Sequence, residues 1–272
     1  MALQSDIDSL EAWSRKWLLC FNPKKCHVLS LGKLENTRYT MRYKIYESEL
    51  EHVFEEKDLG VTVDMQLKFE EHVASKIKTA NAMIGLIRRS FSFLSCYLFR
   101  KLYIAFVRPH LEYAQAVWAP HSAKLIKMIE NVQIRATKLV DGLGSLEYPE
   151  RLRKLNLPTL CHRRARGSMI ELWKHFNVYT RETLSNTFEP RERSTRAHDR
   201  QILERIPKDG IRGLQANSFY FRHARTWNGL PSDVVNAATI NAFKNKLDKH
   251  WEDEPSKFNH QLNDTERFEE DI

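Results

Sequence analysis

SCYLFRKLYIAFVRPHLEYAQAVWAP, residues 95–120, is the densest mixture of aromatic, aliphatic and basic residues in a chain of 272, and its reading decides the fold. Leu98, Leu102, Ala105, Phe106, Tyr113, Ala116 and Val117 recur at helical spacing with Arg100, Lys101 and Arg108 between them, so one face packs while another stays positive. Pro109 interrupts the pattern. It brings no backbone donor and crowds the carbonyl of Ala105, which predicts two helices or one kinked helix.

Both flanks are helical. Upstream, Phe69, Val73, Ile77, Ala80, Ile84, Ile87 and Phe91 repeat every three or four residues and predict a long helix from residue 66. Glu70 and Glu71 near its start and Arg88 and Arg89 near its end suit the helix dipole. Downstream, Ser122 is placed to cap a third helix with Leu125, Ile129, Val132, Ala136 and Leu139 inside and Gly142 at its end. Lys124, Lys127, Asn131, Arg135 and Lys138 share the opposite face of that helix. Such a row either follows a phosphate backbone without reading bases or is an ordinary solvated face, and spacing does not separate the two.

Further out, Ser5 is expected to cap a first helix with Ile7, Leu10, Trp13 and Trp17 as its apolar stripe. Asn22-Pro23-Lys24-Lys25 stops it, Cys26–Leu31 reads as a buried strand, and Tyr39–Tyr46 alternates as a half-buried one. A turn through Glu47-Ser48 leads to residues 50–54. Lys57-Asp58-Leu59-Gly60 then turns into Val61-Thr62-Val63. Beyond Gly144, short helices are expected from Tyr148 to Leu155 and from Leu157 to Phe176, the second carrying the cluster Arg163-Arg164-Ala165-Arg166. For those arginines, nucleic-acid contact and internal carboxylate pairing both stay open. Residues 177–215 are polar and aperiodic, a linker or loop; Phe219, Tyr220, Phe221 and Trp227 either stack on bases or form a core; and Thr239 caps a last helix before an acidic tail at 252–272.

Composition narrows the function. Hydrophobic residues make up 42% of the chain, enough for a sizeable core. No apolar run is long enough to span a bilayer, and Asp6, Asp8 and Glu11 replace the basic start of a signal peptide, so an intracellular protein, nuclear or cytoplasmic, is expected. Four scattered cysteines indicate neither a disulfide framework nor a zinc ribbon. The net charge of +8 is concentrated: residues 61–170 hold 18 Lys and Arg against 8 Asp and Glu, while both flanks are near balance. That favours a polyanionic partner. No phosphate loop, HExxH or nucleophile elbow is present.

WSRKWLLCFNPKKCHVLSLG at 13–32, KDLGVTVD at 57–64, LYIAFVRPHLEYAQAVWAP at 102–120, IENVQIRATKLV at 129–140, RLRKLNLPTLCHRRARGSMIELWK at 151–174, WNGLPSDVVNA at 227–237 and FKNKLD at 243–248 appear in one order. Together they resemble the pol protein of non-LTR retrotransposons of the jockey and CR1-like kind. The resemblance implies a reverse transcriptase, an RNA-directed DNA polymerase. It implies an α+β fold, a small antiparallel sheet remnant of a polymerase palm followed by a mostly helical thumb and a helical C-terminal region. Residues 1–65 would then be the end of the palm, 66–142 the thumb, 143–176 a helical extension, 177–215 the linker, 216–251 a small module and 252–272 the tail. Gly167-Ser168 departs from the Gly-Asp common in the family.

The family's metal-binding aspartates lie on an early palm strand and in a Tyr/Phe-x-Asp-Asp hairpin, and no Asp-Asp pair occurs in this chain. The resemblance therefore implies a truncated piece with no catalytic residue, no metal ligand and no cofactor of its own, although the intact enzyme uses Mg2+ at those aspartates; alone it is expected not to extend a primer. The implied partners are an RNA or DNA template–primer duplex, held sequence-tolerantly, and the upstream palm and fingers. Lys57, Arg88, Arg89, Arg100, Arg108, Lys124, Lys127, Arg135, Lys138, Arg163 and Arg164 are the expected contacts. The reading from another class is a helical nucleic-acid- or protein-binding module with no enzymatic activity.

Overall fold

The computed structural model describes residues 2–32, 41–178, 198, 200–202 and 217–260, and the chain separates into two units, 1–72 and 73–272. The first unit opens with helix α1 (Ala2–Trp17), which starts upstream of Ser5, so that Ser5 lies inside it and its carbonyl accepts from Ser9 Oγ at 2.8 Å. The expected apolar stripe is outside: Leu10, Trp13 and Trp17 are 53%, 48% and 59% exposed. The packed face is polar instead. Gln4 brackets Lys44, accepting from its amide and donating to its carbonyl at 3.0 Å each, as a neighbouring strand would. Glu11 accepts the Tyr46 amide at 2.9 Å, which holds its carboxyl below the usual range, and the fully buried Ser14 hydroxyl meets the Tyr46 hydroxyl.

These contacts hold a strained turn. Strands β1 (His27–Leu29), β2 (Lys44–Ile45), β3 (Ser48–Glu49), β4 (Glu51–Val53), β5 (Glu55–Asp58) and β6 (Val61–Asp64) form three two-stranded ladders. β2 and β3 are joined by Tyr46 and Glu47 at φ 46° and 64°, left-handed values that a hairpin turn requires and non-glycine residues resist. β5 and β6 pair antiparallel around Leu59-Gly60. β1 pairs with β4 in parallel, His27 opposite Glu51. The sheet is thus not wholly antiparallel as expected. The strand expected at Tyr39–Tyr46 shrinks to β2 within the described residues, and positions 33–40 lie outside them.

Asp64 delays the next helix. Its carboxylate accepts from the amides of Gln66, Lys68 and Phe69 at 3.0, 3.2 and 2.6 Å, so α2 runs Glu70–Ser90 rather than from residue 66. The α+β class holds, with helices dominating from here on: α3 (Cys96–Leu102), a π-helical turn (Tyr103–Val107), α4 (Arg108–Glu112), α5 (Gln115–Trp118), α6 (Ala123–Thr137), α7 (Tyr148–Leu155), α8 (Leu160–Asn177), α9 (Phe219–Asn228), α10 (Ser232–Val235) and α11 (Ile240–His250).

The π turn is how the chain accommodates Pro109. Arg108 donates its amide to the Tyr103 carbonyl, five residues back, so the ladder changes register just before the residue that lacks an amide. The chain breaks later, at Ala114 (φ 52°). Phe99, Tyr103, Val107 and Leu111 form the buried row, each at most 1% exposed, while Phe106, Tyr113 and Val117, expected inside, are each more than half exposed.

Behind that row lies a buried polar network. Glu130 of α6, 1% exposed, accepts from the Tyr148 hydroxyl at 2.5 Å and from the Leu160 amide at 3.0 Å. Gln133 accepts from the Tyr103 hydroxyl at 2.8 Å and donates to the Tyr148 hydroxyl and the Pro158 carbonyl at 3.0 Å each. Arg151 is buried with Thr137 Oγ1 and the carbonyls of Leu146 and Ile134 as acceptors. The backbone of α8 approaches α5 so closely that a Cβ at Gly167 would fall 1.8 Å from Gln115 Nε2, which gives that glycine a packing reason. This network ties α6 to α7 and α8.

The C-terminal helices share a second core built on Trp227 and Phe243, both fully buried, with Phe176 stacked on Trp227 at 5.3 Å and Trp173 on Phe243 at 5.9 Å. Most of the expected linker lies outside the described residues, but Ile202 is 2% exposed, its amide and carbonyl bracketed by the Asn228 side chain at 2.9 and 2.8 Å. Of the expected tail, residues 252–260 are described: a 3-10 turn (Pro255–Lys257) accepts the Thr159 amide and hydroxyl through Lys257 and Ser256. Residues 261–272 lie outside.

Two outcomes are expected. Losing Glu130 orphans buried donors at about 1–3 kcal/mol each, so Glu130→Ala should lower the urea midpoint clearly; an unchanged midpoint would contradict the network's role. His162 sits edge-on to Trp251, and burial, then the charge of Lys257, brings its pKa down to about 4. The unfolded imidazole titrates near 6.5, so its stabilising contribution is present above that pH and is lost as pH falls toward 4. Denaturation midpoints measured across that window should drop in the parent and drop less in His162→Gln.

Candidate nucleic-acid interface

Helix α6 is two-sided. Leu125, Ile129, Val132 and Ala136 are each at most 6% exposed, while Lys124, Lys127, Arg135 and Lys138 point outward and are exposed. Ser122 stands at the expected cap with extended backbone but makes no side-chain cap bond. Arg135 is held in place: its Nε donates to the Asn131 carbonyl and its terminal nitrogen to Asn81 Oδ1 on α2, each at 3.2 Å. Ile77, Met128, Asn131 and Arg135 line a shallow groove between α2 and α6. Asn81 went unnoticed in the sequence, because an amide inside a helical pattern carries no distinguishing signal.

Arg88 and Arg89 are exposed in the last turn of α2, and Arg100 is exposed on α3. Among the described residues, none of Lys124, Lys127, Lys138, Arg88, Arg89 or Arg100 is paired with a carboxylate, so their charge faces solvent. Lys57 is exposed on β5, in the other unit.

Three of the expected contacts are internal. Arg163 of α8 makes a two-pronged bond to Glu112, with its terminal nitrogen 2.9 Å from Oε2, and Arg108 lies 3.5 Å from the same carboxylate. Burial pulls the Arg163 guanidinium down, but the bond and charge of Glu112 outweigh it and raise its pKa; Arg108 is lowered by burial and by the like charge of Arg163. Of the two alternatives left open for this cluster, carboxylate pairing is the one seen for Arg163, and also for Arg166 with Asp248 at 2.8 Å. Arg164 is 6% exposed, and its terminal nitrogens have no hydrogen-bond partner among the described residues. Glu112 was legible in principle: it is the sole acidic residue in 72–129, so it had to answer several cations.

The aromatics near Arg222 and Arg225 are core rather than a stacking surface, as Trp227 shows, and Arg222 is turned inward to the Ala119 carbonyl at 2.6 Å. Among the described residues, no three His, Cys, Asp or Glu side chains gather to hold a metal ion. No described helix is long and apolar enough to cross a membrane. What remains is a helix face with Arg135 held by hydrogen bonds and Lys124, Lys127 and Lys138 exposed to solvent, a surface of the kind that can meet phosphate oxygens.

No family model matches the chain, and no solved structure matches it. Over 218 residues, 75% of its length, it is 24% identical to the RNA-directed DNA polymerase from mobile element jockey of Drosophila funebris. Over 110 residues, 39% of its length, it is 30% identical to an uncharacterized protein of Caenorhabditis elegans. The chain spans 24% and 56% of those two proteins. It is thus distantly similar to a reverse transcriptase over most of its own length.

The division between internal and outward cations is testable by thermal or urea unfolding. Arg163→Ala removes charged hydrogen bonds worth about 1.5–3 kcal/mol and should destabilise, whereas Lys124→Ala should stay within about 0.5 kcal/mol of the parent.

Proposed function

We propose that this chain is a reverse-transcriptase-related piece of a non-LTR retrotransposon polymerase that grips a template–primer duplex through its phosphate backbone. The observation that carries the proposal is the α6 row: Lys124, Lys127, Arg135 and Lys138 exposed along one face, with Leu125, Ile129, Val132 and Ala136 fixing that face from behind. The similarity to the jockey polymerase supports it, as does the concentration of positive charge in residues 61–170. In this reading α2 to α6 act as the thumb, Arg88, Arg89 and Arg100 extend the cationic surface, and Lys57 belongs to the end of the palm. Nucleotide addition is assigned to aspartates outside this chain, with the ions they hold. The half-exposed Leu10, Trp13 and Trp17 of α1 support a first unit that packs against further palm structure.

Binding of an RNA–DNA duplex, followed by fluorescence anisotropy across salt concentrations, tests the reading. Each phosphate contact should contribute about −0.9 to the slope of log affinity against log salt. Reversing Lys124, Lys127, Arg135 and Lys138 to Glu should weaken binding and flatten the slope by roughly one unit per lost contact, equally for unrelated sequences. Salt-insensitive binding, or a quadruple variant that binds like the parent, would overturn it.

A further inference from the structure

The entry to α3 carries an exposed aromatic pair that the duplex-binding face does not use. Phe93 is 65% exposed and Tyr97 73%, although rings of that size are ordinarily removed from water. They stand on fixed backbone. Leu94 between them is 4% exposed, its amide bonded to Asp141 Oδ2 at 2.6 Å and its carbonyl to the Asp141 amide at 3.2 Å, while Ser95 caps α3 by accepting the Leu98 amide at 3.3 Å. The Lys101 ammonium lies 5.5 Å from the Tyr97 ring centre, and Arg100, Arg88 and Arg89 are exposed nearby in sequence. Residues 72–111 contain no acidic residue, and the Asp141 that reaches this segment is bound to its backbone.

Flat exposed rings beside cations that pair with no carboxylate among the described residues match one chemistry, a strand whose bases are unstacked and whose phosphates are negative. A duplex keeps its base faces covered, and an acidic peptide offers none. We propose that Phe93 and Tyr97 form a stacking platform for an unpaired nucleic-acid strand, with Arg100 and Lys101 on its phosphates. The inference rests on the reading of this protein as a template–primer binder and adds a single-stranded segment beside the duplex as its second ligand.

The test uses the full chain and two ligands, a blunt duplex and the same duplex with a ten-nucleotide overhang carrying 2-aminopurine, the overhang made once as RNA and once as DNA. The overhang should tighten binding and its fluorescence should be quenched by stacking. Phe93→Ala and Tyr97→Ala should each remove roughly tenfold or more of the gain while leaving the blunt duplex unaffected, Tyr97→Phe should keep it, and Tyr97→Leu should lose it. Equal gains with both overhangs identify a platform for any strand; a gain with one identifies that strand. An overhang that adds nothing, or a gain that survives Tyr97→Ala or Tyr97→Leu, overturns the platform. Absent duplex binding with a strand still quenched at Tyr97 would sink the duplex reading and leave this one standing.

Discussion

One buried carboxyl group organises the helical part of this protein. Glu130 lies on the inner side of α6 and is bonded at once to the hydroxyl of the first residue of α7 and the amide of the first residue of α8. A carboxylate out of water is costly unless hydrogen bonds and a favourable field replace the lost solvation. Here the open amide end of α8 supplies both, since a helix N-terminus presents unpaired donors and partial positive charge. Gln133 and Tyr148 extend the same network to the π turn through Tyr103, so three helices and the irregular turn are joined by one set of buried hydrogen bonds.

That constraint has a consequence for the outer surface. Because the inner side of α6 is tied down, its far side is left to Lys124, Lys127 and Lys138, and Arg135 is held by Asn81. Arg163 and Glu112 do for α4 and α8 what Glu130 does for α6, and in doing so they withdraw cations from the surface. Basic residues near 61–170 thus divide into a structural set and a solvent-facing set. The excess charge alone did not distinguish them.

Much of this was readable from the residues. Helical periodicity located α2, α6, α7, α8 and α11, Thr239 caps the last as expected, and the outward row on α6 followed from its spacing. What was not readable has physical causes. The buried row of residues 99–111 falls one position from the expected Leu98, Leu102 and Phe106, because a run of apolar residues this dense offers two rows at helical spacing and the pattern does not choose between them. The polar face of α1 packs because backbone groups of a short strand needed partners, a demand invisible to a hydrophobicity pattern. The parallel pairing of β1 with β4 joins strands far apart in sequence, which local alternation does not reveal, and the carboxylate that answers Arg163 lies 51 residues away.

The central claim is that the outward face of α6 lies against nucleic acid. Protection of lysines from acylation, read by mass spectrometry with and without an RNA–DNA duplex, addresses it directly. The account predicts that Lys124, Lys127 and Lys138 become protected while Lys244 and Lys249 on α11 react as before. Unchanged reactivity along α6, or protection confined to α11, would contradict it.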